Sequence, residues 1–388
     1  MKNILIILIL LSICLLRADD MAQNINRFGI ETLKQINEPV KNIFISPYSI
    51  HTALAMTSEG TETETATQMK NVLHLNNCAN PSQNLAELSK KLLHNSGNYV
   101  TWKVANSLWL DNDFEVISKF EKTLSRDYQA KMMRTDFIRN PLIALKNINQ
   151  WVSDNTNNKI PAILDEVSPL TRVVLVNAVY FLADWEHPFK EAQTADDDFI
   201  LASGEKVMTP FMKQTRAFSY FEDNMFQAVM LPYKNSRFSM LILLPKDNEI
   251  KFALDAFDES YLEQIMENND YTRIDLQLPR FEIDYKRELK DDLALMGMPL
   301  AFTDLADFSG ISKKQNLMIG QVMHRAYIKV DEKGTEAAAA TAVAMNMTSA
   351  GPPKTPIPFR ADHPFLFMII DQSSATSLFT GILNNPQL

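Results

Sequence analysis

Residues 331–341 read DEKGTEAAAAT, and the run continues through Ala342, Val343 and Ala344 before Gly351, Pro352, Pro353, Pro356 and Pro358 break it up. It begins where an apolar-alternating segment stops. Connections longer than about 12–15 residues with no structure of their own are functional or disordered. From Thr335 onward, alternate residues are Thr335, Ala337, Ala339, Thr341, Val343 and Met345, which would share one face of a strand. All are small or apolar. The opposite set is Glu336, Ala338, Ala340, Ala342, Ala344 and Asn346, whose single charge can stay in water. If this stretch lay as a buried strand, nothing large or charged would have to go inside. Gly334, whose backbone dihedrals are free, precedes it. Two blander readings remain open: Ala-rich sequence is helix-prone, or the stretch is a flexible linker.

The rest of the chain narrows the class. It has 388 residues, 46% hydrophobic and 22% charged, enough for a large core. No repeat and no Gly/Ser linker divides it, which favours one large domain over the two or three that length alone suggests. A net charge of -9 argues against a nucleic-acid binder. The basic pairs Lys90-Lys91 and Lys313-Lys314 are too sparse for a glycosaminoglycan patch and read as solvated positions. At the N-terminus, MKNILIILILLSICLLRADD joins one Lys to an apolar run over residues 4–16. This reads as a secretory signal peptide over residues 1–18, cleaved after Ala18, and it is too short to span a bilayer. Secretion to the extracellular space is therefore expected, with no membrane partner. Cys14 does not read as a lipidation site, since bulky Ile13 precedes it. Once the peptide is removed Cys78 is the only cysteine, so no internal disulfide is possible and the core must hold the fold.

Helical spacing covers residues 21–36, 65–75, 84–93, 114–128 and 142–155, and Ser46-Pro47 reads as a helix cap. Strands are expected over 100–110, 173–181, 228–231, 238–244, 273–278, 326–330, 365–370 and 378–383. Helices dominate the first half and strands the second, an α+β arrangement. Catalytic signatures are missing: there is no G-x-G, G-x-S-x-G, H-E-x-x-H or C-x-x-C. His51, His74, His94, His187, His324 and His363 have no metal-ligand spacing, so neither a metal nor a cofactor is expected. Asp196-Asp197-Asp198 reads as a solvated turn. Asn177 and His324 each interrupt an apolar strand, as members of a satisfied polar network that can latch two strands together.

Six blocks in order resemble the serpin family of serine protease inhibitors over residues 19–388. They are NIFISPYSI (42–50), INQWVSDNTNNKIPAIL (148–164), LVNAVYFLADWEHPF (175–189), FTDLADFSGIS (302–312), HRAYIKVDEKGTEAAAAT (324–341) and FRADHPFLFMIIDQSSATSLFTGILNNP (359–386). The resemblance implies an α+β fold with three β-sheets, eight or nine helices and an exposed reactive-centre loop, here residues 331–358. It also implies a protein that is not an enzyme. A target protease cleaves the loop and becomes acylated on it, and the freed loop enters the main sheet as a new strand. The protease is carried across the molecule and distorted before deacylation. Loop insertion in this family is itself a standard example of strand addition and of released strain.

By the same resemblance the hinge comprises Gly334, Thr335, Glu336, Ala337, Ala338, Ala339, Ala340 and Thr341. Ser46, Ser49, Asn177 and His324 match a polar latch beneath the opening sheet. Arg280 and Glu332 match an ion pair at the insertion point, with Trp185 packed beside it. Counting from the hinge places the reactive bond at Thr348-Ser349, which suits an elastase-like or broader chymotrypsin-fold target. Met347-Thr348 is an alternative that suits a chymotrypsin-like or cathepsin-G-like pocket, and Lys354-Thr355 one that suits a trypsin-like pocket. Counting back from HPF fails by several residues, because this loop is longer on its C-terminal side. Asn346-Met347-Thr348 is also the only N-glycosylation sequon, and a glycan there would obstruct docking. The expected protein is a monomeric suicide inhibitor forming a covalent acyl complex with a serine protease. A non-inhibitory binding or carrier serpin and a cross-class inhibitor of papain-like cysteine proteases are the alternatives.

Overall fold

The computed structural model describes residues 21–96, 99–128, 130–313, 317–335 and 355–388. Helices α1 (21–36), α2 (Pro47–Ser58), α3 (Thr63–Val72), α4 (Pro81–Asn95), α5 (Ser118–Thr123), α6 (Pro141–Asn155), α7 (Ile250–Ala256), α8 (Glu259–Glu267) and α9 (Lys290–Met296) surround the strands. In chain order the strands are β1 (Ile43–Ile45), β2 (Val100–Asp111), β3 (Lys131–Thr135), β4 (Val173–Asp184), β5 (Ala195–Ile200), β6 (Lys206–Glu222), β7 (Phe226–Pro232) and β8 (Phe238–Pro245). There follow β9 (Asp270–Pro279), β10 (Phe281–Glu288), β11 (Gln321–Val330), β12 (Gly334–Thr335), β13 (Ile357–Arg360), β14 (Phe365–Asp371) and β15 (Thr376–Leu383).

A six-stranded sheet runs β10-β11-β12-β4-β2-β3, and a nine-stranded one runs β1-β15-β14-β8-β7-β6-β9-β13 with β5 on β6. The nine strands form two parts hinged on β6, which is 17 residues long. Its first stretch pairs with β5 and β9, and only its last residues reach β7. The α+β fold thus has one separate sheet and two that are continuous through β6.

Strand β4 organises the core because it is apolar on both faces. Val174, Val176 and Ala178 pack under Ala144, Ile148 and Val152 of α6. Leu175, Val179, Phe181 and Ala183 join the large core on the other side. The period of two lets one strand serve both layers. Ser46 caps α2 as its spacing implies, its Oγ accepting the Ser49 N–H at 3.2 Å.

Two expectations are corrected. The helix expected over 114–128 shrinks to α5 followed by a π-helical turn at Leu124–Tyr128. The backbone N–H groups of Phe114 and Ile117 donate instead to Asp111 and Ile311. Asp196, Asp197 and Asp198 lie in β5 and not in a turn, on an edge strand where carboxylates face solvent and Lys206 pairs with Asp198 at 2.9 Å.

Candidate functional site

Gly334 and Thr335 already lie inside the main sheet as β12. Strands β4 and β11 run parallel and pair directly from Gln321↔Val174 to Tyr327↔Tyr180. Above that point β12 lies between them, antiparallel to both, with Thr335 opposite Ala183 on one side and Val330 on the other. Thr335 is fully buried on the core face, and its hydroxyl meets the buried Tyr233 hydroxyl at 2.7 Å. Burial pushes the Tyr233 phenol far above its ordinary value.

Gly334 has a more specific reason than free dihedrals. Its φ lies outside the positive range, but a Cβ there would come within 2.1 Å of the Ala183 carbonyl oxygen. Close backbone approach is what excludes a side chain. The Asp331 side chain closes the turn by accepting the N–H groups of Lys333 and Gly334.

Below the entry point four elements bring their polar side chains together. Asn177 of β4 and His324 of β11 are paired in register, and the His324 Nδ1–H donates to the Asn177 Oδ1. The tautomer follows from the far side of the ring, where Nε2 must accept the Ser46 N–H at 3.4 Å. The Asn177 amide donates to the hydroxyl of Ser49 and to Asn106. Ser49 Oγ donates to Asn106 Oδ1 at 3.1 Å, and Asn106 Nδ2 donates to the Ser49 carbonyl at 3.2 Å. Ser46 Oγ reaches the Leu378 carbonyl at 2.6 Å, tying the group to β15. Burial holds the His324 ring neutral, with a pKa lowered to about 3.

At the top of the slot, Arg280 Nε donates to both carboxylate oxygens of Glu332, at 2.8 and 2.9 Å, and Nη2 makes a further contact. Thr194 Oγ1 donates to the same carboxylate. Burial pushes the Glu332 carboxyl up, but the bonds from Arg280 and Thr194 outweigh it and hold it below its ordinary value. The pair is only half enclosed: the Glu332 side chain is 5% exposed and that of Arg280 43%. Trp185 stacks on Tyr233 with centroids 4.7 Å apart. Its N–H and Nε1–H donate to the carbonyls of Lys333 and Asp331, both at 2.9 Å. Three aromatic and backbone contacts thereby clamp the turn at residues 331–334.

Ser46, Ser49, Asn177 and His324 thus form one cluster, and Trp185, Arg280 and Glu332 another. Glu336, Ala337, Ala338, Ala339, Ala340 and Thr341 fall outside the described residues, as do Asn346, Met347, Thr348, Ser349, Lys354 and residues 1–18. Asn106, Thr194 and Tyr233 were not singled out from the sequence. Asn106 carried a signal, because it breaks the inward series Trp102, Val104, Leu108 of its strand. Thr194 and Tyr233 carried none.

A mixed sheet with an antiparallel strand caught at the mouth of a parallel pair, followed in sequence by a run of small residues, is a serpin arrangement. The Serpin (serine protease inhibitor) family model matches residues 23–386, and the chain belongs to that family. It is 38% identical to an uncharacterized serpin-like protein of Thermococcus kodakarensis, covering 94% of this chain and 85% of the relative. Leukocyte elastase inhibitor of Homo sapiens is 34% identical, covering 93% and 98%. Intracellular coagulation inhibitor 2 of Tachypleus tridentatus is 32% identical, covering 94% and 90%. Among solved structures, the thermophilic serpin tengpin in its native state superposes with a TM-score of 0.86 at 30% identity, covering 94% of each chain. Human thyroxine-binding globulin complexed with thyroxine gives 0.86 at 26% identity, covering 95% and 99%.

These relatives correct the expectation of secretion. An inhibitor named for its intracellular location matches over nearly the whole chain. Family membership therefore gives no support to an extracellular site, and the reading of a secreted protein is withdrawn.

Proposed function

We propose that this chain inhibits chymotrypsin-fold serine proteases of elastase-, chymotrypsin- or cathepsin-G-like specificity, by trapping the acyl-enzyme as its cleaved loop enters the main sheet. The attacking serine forms an ester with the carbonyl of the cleaved residue, Thr348 or Met347, and the amine of the next residue leaves. The reading is supported above all by register. Continuing the pairing of Thr335 with Ala183 and Val330 down the slot would set Ala337 beside Phe181 and Ile328, and Ala339 beside Val179 and Ala326. Thr341 would then fall beside Asn177 and His324, and Val343 beside Leu175 and Val322. The core face of β4 and β11 has one polar pair, Asn177 and His324, and it would meet the one polar inward residue beyond Thr335.

The chemistry of that meeting is balanced. A strand inserted between β4 and β11 doubles their separation to about 9.5 Å, so the direct Asn177–His324 bond is lost. The Thr341 hydroxyl can accept from His324 Nδ1–H and donate to Asn177 Oδ1, restoring both partners. Insertion also replaces parallel pairing by two antiparallel ladders, which are slightly more stable per residue. Asn177, His324, Ser46 and Ser49 act as the latch of the closed sheet in this reading, and Arg280, Glu332 and Trp185 hold its mouth.

Incubation with pancreatic elastase, chymotrypsin and cathepsin G, resolved on denaturing gels, tests this. A covalent complex and a released C-terminal peptide beginning at Ser349 or Thr348 are expected from the wild type. Ala337→Glu, which would bury a carboxylate between Phe181 and Ile328, should convert complex formation into simple cleavage. A second reading, a non-inhibitory carrier, is favoured by the similarity to thyroxine-binding globulin. It predicts clean cleavage of the wild type with no complex and no gain in heat stability afterwards.

A further inference from the structure

Strand β2 is covered unevenly along its 12 residues. On one side β4 pairs with it from Val100 to Leu110. On the other side β3 pairs only with its last part, from Ser107 to Asp111. The chain leading into β3 turns away at that point, where the Ala130 N–H donates to the Leu124 carbonyl at 3.3 Å. Residues 100–106 therefore keep one edge with no strand beside it among the described residues, over about 23 Å at ~3.3 Å per residue. Natural sheets cover, shorten or twist away such edges, because unpaired N–H and C=O groups recruit another strand. This one borders a half-open cavity of about 270 Å3 between α2, α4 and β2, with Tyr48, Leu93, Trp102, Lys103, Val104 and Tyr128 among its walls. The Tyr48 and Trp102 rings meet edge to face with centroids 5.1 Å apart. The Tyr128 hydroxyl donates to the Glu59 carboxylate at 3.1 Å, which fixes that ring too. Leu93 stays 52% exposed although it is apolar. The volume is below the roughly 300–1,000 Å3 of sites that enclose a whole small ligand, but it has room for one large side chain. Lys103 is the one charged residue lining it among the described residues.

We propose that this edge binds an extended peptide by strand addition, with one aromatic side chain of the peptide seated among Tyr48, Trp102 and Tyr128 and an acidic residue beside Lys103. In this mode main-chain bonds supply the affinity, and pockets for alternate side chains supply the specificity. Every second side chain of an added strand points to the face that carries Trp102 and Val104, so one of them falls over the cavity. An aromatic ring there adds edge-to-face contacts to rings already in place. A peptide carboxylate is attracted to Lys103, and a basic flank would be repelled. The surface is separate from the hinge and from the slot between β4 and β11, so the inference stands whether or not the chain traps proteases.

The test uses the full-length, uncleaved protein and the dye-labelled probe acetyl-Glu-Val-Thr-Phe-Thr-Val-Glu-amide. Fluorescence anisotropy measures binding, and hydrogen exchange locates it. Saturable binding below about 100 µM and slowed exchange at residues 100–106 are expected. Replacing the probe's aromatic residue by alanine should weaken binding about tenfold, since a single anchor carries much of such a contact. Ser89→Phe, which fills the cavity from α4, should do the same. Lys103→Glu, at an exposed site, should weaken binding about threefold at low salt. No saturable binding by the wild type would overturn the inference. So would slowed exchange at residues 174–180 and 321–327 instead, which assigns the probe to the slot between β4 and β11. Equal binding of the alanine probe, which needs no change in the protein, would take the cavity out of the reading and overturn it. Equal binding of a probe with N-methylated backbone would rule out strand addition.

Discussion

Lowering the pH from 7 to 5 should weaken the fold through two buried imidazoles, of which His324 lies in the closed sheet. His324 is fully buried; its Nε2 lone pair is occupied by the Ser46 N–H and its Nδ1–H by Asn177. Protonation would cost that bond and place a charge in the core, so the closed form keeps a pKa of about 3 against an ordinary 6.5. Between those values an opened or unfolded chain binds a proton that the closed chain refuses. The stability linked to His324 is therefore complete above pH 6.5 and declines as the pH falls toward 3. At pH 5 the released ring lies about one and a half pH units below its own pKa, which is worth about 2 kcal/mol. His51 is also buried, with its pKa lowered to about 4, and adds a loss of the same sign. His324→Gln removes one titration and keeps a polar group in the cluster, leaving His51 and every carboxylate unchanged. Urea midpoints of both proteins at pH 7 and pH 5 isolate the effect. The wild type should lose about 2 kcal/mol more than the variant. Equal losses would refute the assignment of the closed-sheet proton deficit to His324.

Glu332→Ala should promote spontaneous insertion or polymerisation. Because Arg280 is 43% exposed, the cost is about 2 kcal/mol, below the ~3–5 of a fully buried pair. A lower melting temperature and polymers on native gels are the expected readouts, and their absence would count against the clamp. Gly334→Val forces a branched side chain against the Ala183 carbonyl, 2.1 Å from the added Cβ. The hinge should then leave the sheet and become a cleavage site for a nonspecific protease, whereas undiminished protection would contradict the close-approach argument. His363 faces two acceptors, the Asp362 carboxylate and the Pro245 carbonyl, so both ring nitrogens must carry hydrogen. Burial pushes its pKa down, but these bonds outweigh it and raise it overall. Its contribution is full below pH 6.5 and lost as the pH rises through the raised value. His363→Gln should flatten that alkaline-side loss between pH 6 and 9 in the same urea assay.

Some of the site was legible in the residues alone, and some was not. Small or apolar residues at every alternate position from Thr335 to Met345 are a local, period-two property, visible without any partner. The polar interruptions at Asn177 and His324 were visible for the same reason. Asn106 could have been found by the same test. Thr194 and Tyr233 could not, because a threonine in a loop and a tyrosine beside Pro232 look ordinary until the Glu332 carboxylate and the Thr335 hydroxyl are placed against them.

The amino-acid order by itself determined that alternate residues from Thr335 to Met345 are small or apolar, and that β4 must be buried on both faces. Side-chain alternation along a strand needs no information from elsewhere in the chain. Only the tertiary structure decided which polar residues meet, since Asn177 and His324 are 147 positions apart. It also decided that the hinge is already two residues inside the sheet, and that Gly334 is required by the Ala183 carbonyl. Those facts depend on which backbones come into contact, and contact between distant segments is set by the packing of the whole core.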